Sequence, residues 1–168
     1  VIEASGALIF PLAAGGAGGS GALVRLPAAG PPAVAAAFGA ATGATPVGGL
    51  VVSGNSLIGV TAADGASGRG TAYSYAATTG LSLLADFTSS GGALSEGPLL
   101  AGNSGDFFGV SREGGLGGHG SVYKLTAAGA RTRIVSFTGT GGAARGRRPR
   151  GPLAQVEVNF YGVTEAGG

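Results

Sequence analysis

The sequence predicts an all-β fold, a β-propeller-like array of repeats of about 50 residues with four strands each. Three observations predict this class. Landmark segments recur at offsets of 49 and 50 residues. Short β-branched and aromatic runs are separated by clusters of Gly, Asn and Ser, which is typical of antiparallel meanders. No segment shows convincing helical periodicity, and the Ala-rich run 33–38 is interpreted as a strand because of its place in the repeat.

The landmarks keep one register along the chain. The first is a glycine that opens an apolar strand, at 21–26, 70–75 and 120–125. The second is a phenylalanine near the end of each unit: Phe38, Phe87 and Phe137. The third is an apolar run with a central Gly-Val pair, at 57–61, 107–111 and 160–164. Separate landmarks in one register indicate a tandem repeat, whose units bury their faces against each other.

Four short strands are predicted in each unit, and they are clearest in the third. We place them at 99–101, 107–111, 121–125 and 132–137. A Gly-Asn-Ser-Gly-Asp turn separates the first two strands, a glycine-rich loop the second from the third, and a Thr-Ala-Ala-Gly turn the third from the fourth. In 121–125, side chains alternate between the two faces of the sheet.

The repeat divides the chain into three full units and a half unit. We expect an atypical first repeat at 1–49, a second at 50–98, a third at 99–152 with a longer turn near 140–150, and the first two strands of a fourth at 153–168. A closed propeller needs about four blades or more. Either the chain is therefore a piece of a longer propeller, or strands of another copy complete the half unit; a solenoid of another type is the remaining alternative.

Several segments resemble a known bacterial repeat. The stretches 120–126 (GSVYKLT), 135–139 (VSFTG) and 159–164 (NFYGVT) are similar to the GloVer-type Gloeobacter/Verrucomicrobia tandem repeat, with the resemblance strongest from 97 to 168 and weakest in the first unit. The resemblance implies a β-propeller-like repeat protein that is secreted or held at the bacterial cell surface. It implies no catalytic residues.

Composition excludes several classes of protein. The chain contains 37 Gly and no Cys, Met or Trp, which excludes a disulfide scaffold, a Cys-ligated metal site and a thiol enzyme. No apolar run approaches the length that spans a membrane. The chain begins at Val1 without an initiator Met, as expected of a processed or partial chain from which any signal peptide has been removed. We therefore expect an extracellular or cell-surface location.

Few residues are candidates for chemistry, and we expect no catalytic, cofactor-binding or metal-binding residue. His119, the only histidine, lies in a glycine-rich loop. Asp64, Glu113 and Glu165 occupy equivalent loops, but each loop offers one carboxylate where Ca²⁺ wants several oxygens. Two G-x-G-x-x-G matches lead into strands, whereas a dinucleotide site needs a helix there. The Arg run 145–150 is interpreted as a solvated loop without stacking aromatic residues, so a nucleic-acid partner is not expected.

The sequence thus favours a non-enzymatic extracellular structural protein. Its expected partners are copies of itself, joined head to tail by strand completion through 153–168 into filaments or rings. The alternative is a propeller module that binds a carbohydrate or a surface protein through its loops. The candidate residues on the assembly strands are Val156, Val158, Phe160, Tyr161 and Val163. The candidate loop contacts are Asp64, Glu113, His119, Arg147 and Arg148.

Overall fold

The computed structural model describes the backbone of residues 2–4 and the whole of residues 6–168, and in that part of the chain all regular structure is strand. The first sheet contains β1 (Ile2–Ala4), β2 (Ala7–Leu12), β3 (Ala22–Pro27) and β4 (Ala33–Ala37). The second contains β5 (Ala44–Ser53), β6 (Ser56–Ala63), β7 (Thr71–Ala76) and β8 (Gly80–Asp86). The predicted all-β class is confirmed.

The third and fourth sheets follow the same plan. The third contains β9 (Ala93–Ser95), β10 (Leu100–Ala101), β11 (Phe107–Glu113), β12 (Ser121–Leu125) and β13 (Arg131–Ser136). The fourth contains β14 (Arg147–Val156) and β15 (Asn159–Ala166). Each sheet is an antiparallel meander, and β9 and β10 pair with the same strand, β11, as two pieces of one interrupted first strand.

The predicted strands of the third unit are confirmed within one or two residues at their ends, apart from the interruption of the first strand. The structure corrects the prediction for the Arg-rich segment. We interpreted 145–150 as a loop, yet Arg147, Pro149 and Arg150 pair with β15 inside β14. Pro and Gly are poor strand formers, so local propensity argues against a strand, and tertiary pairing overrides it. As a result β14 begins before the predicted boundary at 152/153, as β5 does before 49/50.

Two apolar clusters hold neighbouring sheets together. Between the first and second sheets lie Ile9, Leu23, Phe38, Leu50, Leu57, Tyr73 and Tyr75. Between the second and third lie Ile58, Val60, Ala72, Phe87, Leu99, Phe107, Tyr123 and Leu125. Because side chains alternate along a strand, β6 gives Leu57 to the first cluster and Ile58 to the second. The second sheet is therefore buried on both faces.

The first strands of successive sheets approach closely at glycines. A Cβ on Gly48 would lie 2.6 Å from the backbone nitrogen of Pro98, and one on Gly97 would overlap the carbonyl oxygen of Gly151. Only a residue without a side chain allows this approach. Gly48 and Gly97 thus let the second, third and fourth sheets meet along one edge.

A second recurring contact links each sheet to the next. Thr45, Leu94 and Arg148 have left-handed backbones, with φ of 55°, 54° and 53°. Their amides donate hydrogen bonds to the carbonyls of Ser20, Arg69 and His119 in the preceding sheet's loop, at 2.9, 3.2 and 2.8 Å. Left-handed non-glycine residues are uncommon, and their recurrence at equivalent positions shows that all three junctions between sheets use one geometry.

Candidate assembly site

The candidate assembly residues lie on the two-stranded fourth sheet, at the C-terminal end of the stack. Val156 ends β14, Val158 lies in the two-residue turn, and Phe160, Tyr161 and Val163 lie on β15. All five are exposed. Four of the five residues therefore lie on strands, whereas Val158, which the sequence analysis placed on a strand, lies in the turn.

The inward face of the fourth sheet packs on the third sheet. The Phe160 ring stacks on the Phe108 ring, with centroids 4.5 Å apart. Leu153 and Pro149 are buried in this contact. An aromatic pair and two buried apolar side chains fix the strand pair to the body of the chain.

The outward face of the fourth sheet is apolar and uncovered. Tyr161 and Val163 are 56% and 69% exposed, whereas the equivalent residues of β6, Ile58 and Val60, are 2% and 0% exposed. Val156 pairs with Asn159, so it shares the outward face. In the inner sheets the next sheet covers this position, and here none of the described residues does.

An ion cluster fastens the fourth sheet to the third. Arg112 lies 3.2 Å from Glu96 and 3.5 Å from Glu165, and Arg150 lies 3.2 Å from Glu165 and 3.9 Å from Glu96. Glu96 and then Glu165 raise the pKa of Arg112 above its usual value. The sequence analysis missed this cluster because Glu165 was placed in a loop, whereas it lies on β15.

A cavity opens between the third sheet and β15. Its volume is about 400 Å³, and its lining includes Val110, Phe137, Leu153, Phe160 and Gly162. The volume is more than ten times that of one liquid water, so apolar side chains of a further strand fit it better than a single water. Within the part of the chain that the structure describes, the neighbouring edge of β15 carries no strand partner, because the fourth sheet there consists of β14 and β15.

The candidate loop residues are spread over the molecule. Asp64 follows β6 with a left-handed backbone, and Glu113 ends β11. No ion pair or hydrogen bond joins their carboxylates within residues 6–168. His119 and Arg148 do meet, through the carbonyl of the first and the amide of the second. Arg147 lies exposed at the start of β14.

The opposite end of the stack is also apolar. Leu8 and Leu12 on β2 and Val34 on β4 are 41%, 43% and 60% exposed. Leu8 and Leu12 alternate with the buried Ile9, so they face away from the second sheet. Among the described residues, an apolar face is therefore exposed at each end of the stack.

Two classes of site are not found among the described residues. Within 2–4 and 6–168, no group of three or more His, Asp or Glu side chains is arranged to hold a metal ion. The same part of the chain has no helix long and apolar enough to cross a membrane.

Comparison with known proteins gives one match. The family model described as the Gloeobacter/Verrucomicrobia repeat matches residues 1–168. No curated protein and no solved structure matches the chain.

Proposed function

The chain belongs to the Gloeobacter/Verrucomicrobia repeat family, and we propose that it is a non-enzymatic structural protein that assembles with further copies of itself through β14–β15. The observation that carries the proposal is the exposure of Tyr161 and Val163, at a position that the next sheet covers in the rest of the chain. Burial of such side chains contributes on the order of 1.5–3 kcal/mol each. A sheet of the same kind from a further copy of the chain fits this face and buries it.

Copies fit head to tail because the two ends of the stack differ. One end presents Leu8, Leu12 and Val34, and the other presents Val156, Tyr161 and Val163. A contact between different surfaces of identical chains is heterologous, and it gives rings where the rotation closes and filaments where it does not. Strand completion through 153–168 is part of this proposal, since no described strand pairs with the outer edge of β15.

The propeller-like arrangement of the sheets and an extracellular or cell-surface location also belong to the proposal. The close approach of the first strands at Gly48, Gly97 and Gly151 supports a radial arrangement. The low charged fraction, 11%, and the absence of Cys, Met and Trp suit a durable extracellular material. The scattered carboxylates and the single histidine support a non-enzymatic role, because acid–base catalysis needs titratable groups placed together.

The experiment compares self-association of the wild type with that of a face variant. We expect the purified chain to form rings or filaments in negative-stain electron microscopy and to sediment in a concentration-dependent way. The double variant Tyr161→Ser/Val163→Ser should sediment as a monomer. The control is Leu116→Ser, since Leu116 is 81% exposed but lies in the loop between β11 and β12. A wild type that stays monomeric at all concentrations would overturn the proposal.

A further inference from the structure

The second and third sheets share a cross-strand pair of glycine and tyrosine. Gly59 on β6 is opposite Tyr73 on β7, and Gly109 on β11 is opposite Tyr123 on β12. A Cβ on either glycine would overlap the hydroxyl group of the opposite tyrosine. The glycine therefore makes the room in which the tyrosine side chain lies, and both tyrosines are fully buried.

A pair of hydroxyl residues lies beside each glycine–tyrosine pair, two positions after the glycine on one strand and two positions before the tyrosine on the other. Thr61 Oγ1 is 3.0 Å from Thr71 Oγ1, and Ser111 is opposite Ser121. All four residues are fully buried. A third strand that places a tyrosine opposite the glycine and a hydroxyl residue opposite Thr or Ser therefore reads Gly-[Ser/Thr]-x-Tyr, as at 70–73 and 120–123.

Each tyrosine packs on a phenylalanine of the preceding unit. The ring centroids of Tyr73 and Phe38 are 4.7 Å apart, and those of Tyr123 and Phe87 are 5.3 Å apart. Both phenylalanines are buried. Phe137 is the third member of this series, and it is only half-buried at the wall of the 400 Å³ cavity.

The edge of β15 carries the first half of the same pattern. Gly162 and Thr164 occupy the positions of Gly59 and Thr61, but Gly162 is exposed and Thr164 half-buried. We propose that this edge and the cavity beside it bind a β-hairpin of a second polypeptide built from the same repeat, whose first strand reads Gly-[Ser/Thr]-x-Tyr. Its tyrosine packs over Gly162 and against Phe137, and its hydroxyl residue meets Thr164.

The first unit of the chain does not fit this edge. Phe10 is opposite Val24 and Leu12 is opposite Ala22, so the large residue is on the second strand and the small one on the third. If β3 of another copy paired with β15, Val24 would leave the space over Gly162 unfilled, and Ala22 would offer no hydroxyl to Thr164. This inference rests on the strand-completion part of the proposed function and changes its donor, because it excludes the first unit of a head-to-tail copy and assigns the edge to a hairpin with the Gly-[Ser/Thr]-x-Tyr pattern.

The hairpin β7–β8 is the best probe that the chain offers. The fourth sheet has Pro149 where the second has Pro46, and each proline Cδ lies against the glycine that opens the preceding unit's third strand, Gly120 or Gly21. The position over Gly162 therefore resembles the position of Tyr73. In β13, Arg131 would lie beside Arg145 at the cavity, whereas β8 brings the uncharged Leu81.

The experiment titrates a synthetic peptide of residues 69–88 into the full chain and follows binding by calorimetry. We expect saturable 1:1 binding. The Tyr73→Ala peptide should bind at least about tenfold more weakly, as expected of a buried aromatic anchor. The Tyr73→Phe peptide should bind as well as the parent, since none of the described residues is a hydrogen-bond partner of the Tyr73 hydroxyl. The Gly162→Val chain, with its fold checked by circular dichroism, should lose at least tenfold in affinity.

A second arm removes the cost of ordering a free peptide. Residues 69–88 are fused after Gly168 through a flexible linker, which raises their effective concentration to the millimolar range. The fusion should melt at a higher temperature than the same fusion with Tyr73→Ala. Absence of peptide binding together with equal melting of the two fusions would overturn the inference, as would equal binding of the parent and Tyr73→Ala peptides.

The outcomes also separate this inference from the proposed function. The single variant Tyr161→Ser changes the outward face and no residue that lines the cavity, so it should still bind the peptide, whereas Val163 itself lines the cavity. Peptide binding by a chain that never self-associates would leave the inference standing and overturn self-assembly. Self-association with no effect of the hairpin in either arm would overturn the inference and leave self-assembly standing.

Discussion

The hydroxyl oxygen of Tyr123 lies 2.9 Å from Ser95 Oγ, which in turn donates to the carbonyl of Val110 at 3.1 Å. All of this is buried between the second and third sheets. Tyr73 holds the equivalent position one unit earlier, where Pro46 stands in place of a serine and the tyrosine hydroxyl finds no hydrogen-bond partner among the described residues. Two tyrosines at equivalent positions therefore differ in this hydrogen bond, and the Arg131 guanidinium also lies 5.9 Å from the ring centroid of Tyr123.

This difference predicts opposite effects of one substitution. Tyr123→Phe should lower the free energy of unfolding by about 1 kcal/mol, because it removes a satisfied buried hydrogen bond. Tyr73→Phe should leave it unchanged or raise it, because it removes a buried hydroxyl that is unpaired. Urea unfolding of both variants checks this, and an equal loss in both would contradict it.

The buried tyrosines also predict weaker stability at alkaline pH. Burial raises the pKa of Tyr123 from 10.0 to about 12, and it raises that of Tyr73 as well. Above pH 10 the unfolded chain loses these protons while the folded chain keeps them. Stability is therefore fully present below pH 10, and it falls as the pH rises toward 12 by about 1.4 kcal/mol per pH unit for each tyrosine.

The measurement is urea unfolding between pH 9 and pH 11, within the range where the chain refolds. The Tyr73→Phe/Tyr123→Phe double variant should show a flatter dependence, since phenylalanine does not titrate. A wild type and a double variant with the same slope would contradict the assignment of the loss to these two residues.

Gly109 and Gly162 occupy equivalent positions in the third and fourth sheets, and we expect an alanine substitution to reduce stability more at Gly109 than at Gly162. Gly109→Ala should cost about 2 kcal/mol or more, because the new methyl group overlaps the Tyr123 hydroxyl in a filled core. Gly162→Ala should cost less, since its Cβ meets only the flexible end of Leu153, at 2.8 Å. Thermal unfolding of both variants checks the order, and the reverse order would argue against the free edge at β15.

The ion cluster predicts a salt-dependent attachment of the fourth sheet. Glu165 pairs with both Arg112 and Arg150 across the junction of the third and fourth sheets. Added salt screens partly exposed pairs, so the wild type should lose thermal stability between low and high ionic strength by more than Glu165→Gln does. The matched control is Glu113→Gln, whose salt response should equal that of the wild type.

Much of the fold follows from local patterns in the sequence. The strands around Phe107 and Tyr123 were predicted because apolar alternation and glycine turns are local signals. The strand at Arg147 and the ion pairs of Glu165 were not predicted, since both depend on which strands pair. The assembly residues were predicted from the unit count alone, and their exposure could be known only once the preceding sheets were shown to bury Ile58 and Val60.

Arg131 occupies the position that Leu81 holds in the preceding unit. Its guanidinium lies 4.7 Å from the ring centroid of Phe87 and donates to the carbonyl of Gly92 at 3.1 Å. Burial lowers the pKa of this guanidinium, so the cation–π contact is partly offset by desolvation. Leu81 is opposite Tyr75 as Arg131 is opposite Leu125, and it packs in the apolar cluster of the first two sheets.

Arg131→Leu should therefore change the free energy of unfolding by less than about 1 kcal/mol, while Arg131→Ala should cost about 1–2 kcal/mol through lost packing over Phe87. Urea unfolding of the two variants separates packing from charge. If Arg131→Leu costs as much as Arg131→Ala, the cation and its hydrogen bond to Gly92 stabilise this junction, and the equivalence of Leu81 and Arg131 fails.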